Sequence, residues 1–152
     1  GRGGGPQDRA PFSLLLLFSG CRVLGPDDPR LNEGEDHRET WNAFQDGTYH
    51  FLMNRSCFCV ISGEHFVQVI DREISVAVNT WSNEEVEGEH LQYVETIDDL
   101  FNMIERAEKD ADEFLVEYAK EGYPTLISID WIKEAVDDEM YFQISAVQPG
   151  IQ

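Results

Sequence analysis

Positive charge is scarce in this sequence. Lysine and arginine together number 11 against 30 aspartates and glutamates, for a net charge of −19. A chain that grips nucleic acid needs clustered cations facing the phosphates, so that class of partner is excluded. An electrostatic hold on anionic lipid is excluded for the same reason. The acidic balance fits a strongly solvated surface or, more sharply, a site for a cation or a basic partner. Long apolar runs are also missing: the run from Pro11 to Phe18 falls short of the roughly 20 residues that span a bilayer. There is no Gly-x-Ser-x-Gly elbow, no phosphate loop and no His-Glu-x-x-His pair, so neither catalysis nor a cofactor is expected. Cysteine is sparse too: there are three in all, and two of them, Cys57 and Cys59, stand one residue apart.

What is present suffices for one domain. The chain has 152 residues, 41% of them apolar, enough for a single core and too few for two ordinary ones. Its first segment, GRGGGPQDRAPFSLLLLFSGC, carries Arg2 and Arg9, then the short apolar run, then small residues before Cys21. That pattern predicts a signal peptide over 1–20. Ser19-Gly20-Cys21 resembles the lipobox of bacterial lipoproteins, with Phe18 where that family usually has Leu. The resemblance implies a mature chain that begins at an acylated Cys21 and meets the membrane through its lipid, on the periplasmic or cell-surface side. The alternative is a buried apolar strand with an incidental cysteine. RVLGPDDPRLNEGEDH, residues 22–37, reads as a flexible tether rich in Pro, Gly and acid. A single domain is expected over 38–152, as a monomer.

Within that domain, Trp41 and Phe44 mark a short helix over Glu39–Gln45. GTYHFLMNRSCFCVI, residues 47–61, reads as a strand. HFVQVI and ISVAV read as a hairpin around Asp71-Arg72-Glu73, followed by an acidic loop, SNEEVEGEH. The clearest helix is TIDDLFNMIERAEKDA, with Thr96 as N-cap, Asp98 and Asp99 in its first turn, and Ile97, Leu100, Phe101, Ile104 and Ala107 on one face. EFLVEYA and PTLISIDWI flank a turn at Lys120-Glu121-Gly122, and MYFQISAVQ is the last strand. The order α-βββ-α-βββ predicts an α+β fold: an antiparallel sheet of about six strands with both helices on one face.

Three blocks carry a resemblance: the Cys-Phe-Cys strand, the TIDDLF helix and residues 118–145. Together they resemble bacterial secreted proteins and lipoproteins catalogued as domain of unknown function 6174. The matching residues are Tyr49 and Phe51, Cys57 and Cys59, Val67 and Val69, Thr96 to Phe101, Tyr118, Gly122-Tyr123-Pro124, Ile127 to Asp130, and Asp137-Asp138-Glu139. The match covers about residues 40–147. Ala119 stands where the family usually has Asp. The resemblance implies a fold and export, and no activity.

Three groups of residues are candidates for a site. Cys57 and Cys59 share one face of a strand, their Cα atoms about 6.5–7 Å apart, at the upper edge of disulfide reach unless a bulge shortens the span. A local disulfide is the expectation; two free buried cysteines, or a redox or soft-metal pair, are the alternatives. Zinc would need two more ligands, and no histidine stands at ligand spacing; His50 has the opposite strand parity to Cys57. Asp130, Asp137, Asp138 and Glu139 could gather oxygens for a cation, although their spacing is not that of an EF-hand. Tyr49, Tyr118 and Tyr141 could line a pocket or pack the core. Tyr123 before Pro124 favours a cis bond in the turn. The functional reading is a non-catalytic binding or envelope-accessory module whose ligand is an envelope protein or a small molecule. The alternative is a thiol-dependent redox or metal-binding protein using Cys57 and Cys59.

Overall fold

The structure is a computed structural model that describes residues 33–150. The expected signal peptide and the lipidation site at Cys21 lie outside the described residues.

Helix α2, Ile97–Asp110, forms where its sequence pattern placed it. The Thr96 hydroxyl accepts from the Asp99 amide at 3.0 Å, and the Asp99 carboxylate accepts from the Thr96 amide at 2.9 Å. This reciprocal capping box satisfies two donors that a helix start leaves open. Ile97, Leu100, Phe101, Ile104 and Ala107 are buried on one face, together with Met103. Helix α1, Glu33–Phe44, begins earlier than the sequence pattern marks, so Glu33–His37 belong to the fold rather than to a tether. Trp41 anchors it with no exposed surface, and Arg38 reaches Glu105 on α2 at 3.1 Å.

Six strands make one antiparallel sheet: β1 Tyr49–Cys57, β2 Gly63–Ile70, β3 Glu73–Asn79, β4 Glu113–Tyr118, β5 Pro124–Asp130 and β6 Glu139–Pro149, in the order β3-β2-β1-β6-β5-β4. The expected α+β architecture and element order are therefore observed. Alternation divides each strand between two faces. Phe51, Met53, Val67, Val69, Ile127, Ile129, Phe142 and Ile144 are buried on the face covered by the helices. Leu52, Asn54, Ser128, Asp130, Tyr141 and Gln143 take the alternate positions on the other face, where they are half-buried or exposed.

Three local expectations are corrected. The first strand stops at Cys57 instead of running to Ile61, because the chain bends sharply over the next residues. The acidic loop contains a short 3-10 turn, Gly88–Tyr93. The Tyr123–Pro124 bond is trans, since no described peptide bond is cis. Gly122, at φ 99°, supplies the reversal instead, in the left-handed region that glycine enters without strain.

The register gives the sheet two distinct ends. Tyr49 pairs with Val69 and Pro149, and Tyr118 with Pro124, at one end. Cys57 pairs with Met140, Asp130 with Glu139, and Glu113 with Asp130, at the other. At the first end, Tyr49 is a structural post. Its ring meets Trp41 edge-on at 4.9 Å, and its hydroxyl accepts from the Ile97 amide at 3.0 Å. Burial pushes its phenol well above the ordinary tyrosine range, with Asp98 and Asp99 adding to the rise and the Ile97 amide opposing it. Tyr49→Phe leaves that buried amide without an acceptor and is expected to cost about 1–2 kcal/mol in urea denaturation.

Candidate functional site at the Cys57 end

The site is built by a strand that ends early. Closing a bond between alternate residues draws their Cα atoms closer than an extended strand allows. Here they are 5.3 Å apart, inside the usual disulfide range, and the Cys57 and Cys59 sulfurs lie at disulfide distance. The ladder therefore breaks after Cys57. Phe58 is thrown outward at 85% exposure and Val60 at 64%, unusual for large apolar side chains. A disulfide fits an oxidising, exported environment. Among the described residues, no helix is long and apolar enough to cross a membrane.

Behind the disulfide stands a buried cation that sequence reasoning overlooked. Arg55 lies two residues before Cys57, on the same strand face, and is 8% exposed. Its Nη1 donates to the Glu95 carboxylate at 2.8 Å and to the Tyr93 carbonyl at 2.7 Å. Its Nε donates to Cys57 Sγ at 3.2 Å, and its guanidinium lies over the Phe142 ring, 5.3 Å from the centroid. Glu95 is held above the ordinary carboxylate range, first by burial and against the pull of Arg55. The signal for Arg55 was present in the sequence as strand parity with Cys57. Glu95 has no such signal, because it arrives from the segment before α2.

In front of the disulfide lies a groove of about 690 Å³ on the open face of the sheet. Cys57 and Phe58 line it from the end of β1, and Val136, Asp137, Glu139 and Tyr141 from the β5–β6 connection and β6. Asp130 and Glu113 line it from β5 and β4. Cys57 and the acids Asp130, Asp137 and Glu139, separate in the sequence, thus border one cavity, while Cys59 and Asp138 do not line it. Val136 is 82% exposed, so the β5–β6 connection adds an apolar side chain to the groove lining. Burial raises the Asp130 carboxyl above the ordinary range, with further upward pushes from Asp138, Glu113 and Asp112. One Asp130 oxygen has no hydrogen-bond partner among the described residues. Lys133 offsets part of this charge by binding Glu113 at 2.8 Å.

Of the four acids expected as a candidate cation site, Asp130, Asp137 and Glu139 line the groove. Asp138 turns one oxygen inward to accept from the Ile132 amide at 2.6 Å, and Asp137 occupies a turn at φ 78°. Among the described residues, the carboxylate and imidazole groups that converge within 4.8 Å are Glu87, Glu89 and His90, a different and largely exposed set.

The remaining motif residues sit at the far end of the sheet and pack it. Tyr118 stacks on His37 with ring centroids 4.0 Å apart and on Phe101 at 6.3 Å. Tyr123 meets Trp41 edge-on at 5.9 Å, and Pro124 is buried at the start of β5. Gly122 lies directly beneath α1. Tyr49 and Tyr118 therefore line no pocket with the cysteines; of the three tyrosines considered, Tyr141 borders the groove.

No curated protein and no solved structure matches the chain. A family model does match, over residues 33–149, which takes in both helices and all six strands. The chain belongs to the family of unknown function DUF6174.

Proposed function

We propose that this chain is an exported, non-catalytic binding module of the cell envelope, held at the membrane by acyl chains on Cys21. Its ligand is cationic and partly apolar, such as a lysine- or arginine-bearing segment of an envelope protein. The observation that carries this reading is the groove beside the disulfide turn. Carboxylates from three strands and one connection converge there with exposed Phe58 and Val136. A ligand that supplies a positive group to Asp130 and Glu139 and an apolar group to Phe58 satisfies both halves of that surface. The net charge of −19 favours the approach of such a ligand and repels anionic ones.

The test is a titration of the full chain with a short amidated peptide alternating lysine and phenylalanine, and with its glutamate counterpart as control. The lysine peptide is expected to bind and the control is not. Raising the salt from about 0.05 M to about 0.5 M is expected to weaken binding as screening shortens the reach of the acids. Asp130→Asn combined with Glu139→Gln is expected to lower affinity about tenfold, with exposed charges contributing roughly 0.5–1 kcal/mol each. Equal binding of both peptides, or none of either, would remove this reading.

A second reading, thiol chemistry at Cys57 and Cys59, is favoured by one observation: the contact of Arg55 Nε with Cys57 Sγ. Asp130→Asn together with Glu139→Gln separates the two readings, since a binding module loses its envelope phenotype and a thiol-dependent protein keeps it.

A further inference from the structure

The two sulfurs of the disulfide face opposite chemistry. Cys57 Sγ meets a donor, the Nε–H of Arg55 at 3.2 Å. Cys59 Sγ meets an acceptor, the Ile61 carbonyl oxygen at 3.1 Å. A donor favours sulfur as thiolate, while a carbonyl oxygen favours it as a thiol that can donate. Arg55 is fixed in place for this task. Its other end is tied to Glu95 and the Tyr93 carbonyl, and its plane lies over Phe142. The charges around Cys57 do not all agree. Glu95 neutralises part of Arg55 from the helix side, and Glu113, Asp130, Asp137 and Glu139 line the groove that Cys57 borders. Arg55 prevails because it is buried and in direct contact with the sulfur, whereas Glu113, Asp137 and Glu139 are exposed and screened and the half-buried Asp130 makes no hydrogen bond with Cys57.

We propose that Cys57–Cys59 is an exchange-competent disulfide of fixed polarity that oxidises a peptide dithiol, with Cys57 as the leaving thiolate and Cys59 as the sulfur that is attacked. The incoming thiolate forms a bond to Cys59 Sγ as the Cys57–Cys59 bond breaks, and the electron pair of that bond stays on Cys57, beside Arg55. The partner's second thiol loses its proton to solvent and attacks its own sulfur in the mixed disulfide. Cys59 leaves, takes up a proton, and its thiol donates to Ile61. One disulfide is transferred to the partner, and the protein gains two electrons. Exposed Phe58 and Val60, on either side of Cys59, offer apolar contacts for an extended peptide. The inference rests on the second reading above and makes no use of the cationic ligand, so either can fail alone.

The test treats the oxidised full chain with limiting glutathione, quenches with acid, and locates the glutathione adduct by peptide mass spectrometry. The adduct is expected on Cys59 at least tenfold over Cys57. Arg55→Lys, which keeps the charge but removes the fixed Nε–H, is expected to erode that bias. It is also expected to lower the equilibrium constant for oxidising dithiothreitol about tenfold, equivalent to about 30 mV. Adducts divided evenly between the sulfurs, or concentrated on Cys57, would overturn the proposal. So would an Arg55→Lys chain that folds and keeps the wild-type bias and equilibrium. If Arg55→Lys fails to fold, the wild-type adduct position decides alone.

Discussion

Replacing Gly122 with alanine is expected to destabilise the domain by about 3–4 kcal/mol. A Cβ at this position would collide with the His37 carbonyl oxygen and the Trp41 amide nitrogen, both backbone atoms of α1. Backbone cannot swing aside as a flexible side chain can. The helix must therefore lift off the turn, at an overpacking cost of about 1–3 kcal/mol. The residue also sits at φ 99°, where an L side chain adds roughly 1–2 kcal/mol of strain. The loss should appear as a lower urea midpoint with an unchanged slope, because the fold is weakened rather than altered. A change below about 1 kcal/mol would mean that α1 does not rest on this turn. The glycine of the Gly-Tyr-Pro motif would then need an explanation other than packing.

Replacing Arg55 with methionine is expected to cost about 3 kcal/mol at neutral pH, because it leaves Glu95 charged and unpaired in a site where both side chains are largely buried. The pH dependence carries a definite sign. Glu95 titrates above its ordinary value of 4.5 in the fold, so the folded state binds more protons than the unfolded one in the window that opens there. Stability from this group is present below that window and is lost as pH rises through it. Removing Arg55 takes away the one charge holding Glu95 down, so the window widens upward. The Arg55→Met penalty should therefore shrink as pH falls towards 4.5, where Glu95 is increasingly protonated. Adding Glu95→Gln should recover much of the loss at pH 7, because a neutral amide needs no counter-charge. A penalty of equal size at both pH values would place the cost in packing against Phe142 rather than in the ion pair.

How much of this was legible beforehand varies with the physics involved. Helix α2 was readable because its signals are local: a threonine cap, two acids in the first turn and a clean apolar stripe. The strand positions were readable from alternation and turn residues. The start of α1 was not, because Glu33–His37 carry no apolar period, and that helix is anchored through Trp41 on the distant rings of Tyr49 and Tyr123. The end of β1 was misplaced because the apolar run continues through Phe58 to Ile61, whereas the disulfide requires a bend that hydrophobicity does not register.

The site itself was half visible. Cys57, Cys59, Asp130 and Glu139 stood out as residue types, but nothing local says that Cys57, Asp130 and Glu139 share a groove. That follows from Cys57 pairing with Met140 and Asp130 with Glu139, a register that brings β1 beside the β5–β6 pair far along the chain. Likewise, a motif tyrosine, glycine or proline serves packing or chemistry equally well on paper. In the structure, Tyr49, Tyr118, Gly122, Tyr123 and Pro124 gather at the packed end of the sheet, leaving the Cys57 end as the one whose groups are not consumed by the core.

The bond between Cys57 and Cys59 underlies the bend, the outward Phe58, the groove wall and the exchange chemistry. The most direct measurement is the peptide-resolved mass of the purified chain, denatured with an alkylating agent before and after reduction. The expected result is no alkylation at Cys57 or Cys59 without reductant, and alkylation of both after it. Two alkylated cysteines without reductant would contradict the account: the turn would be open and the pair would be free thiols.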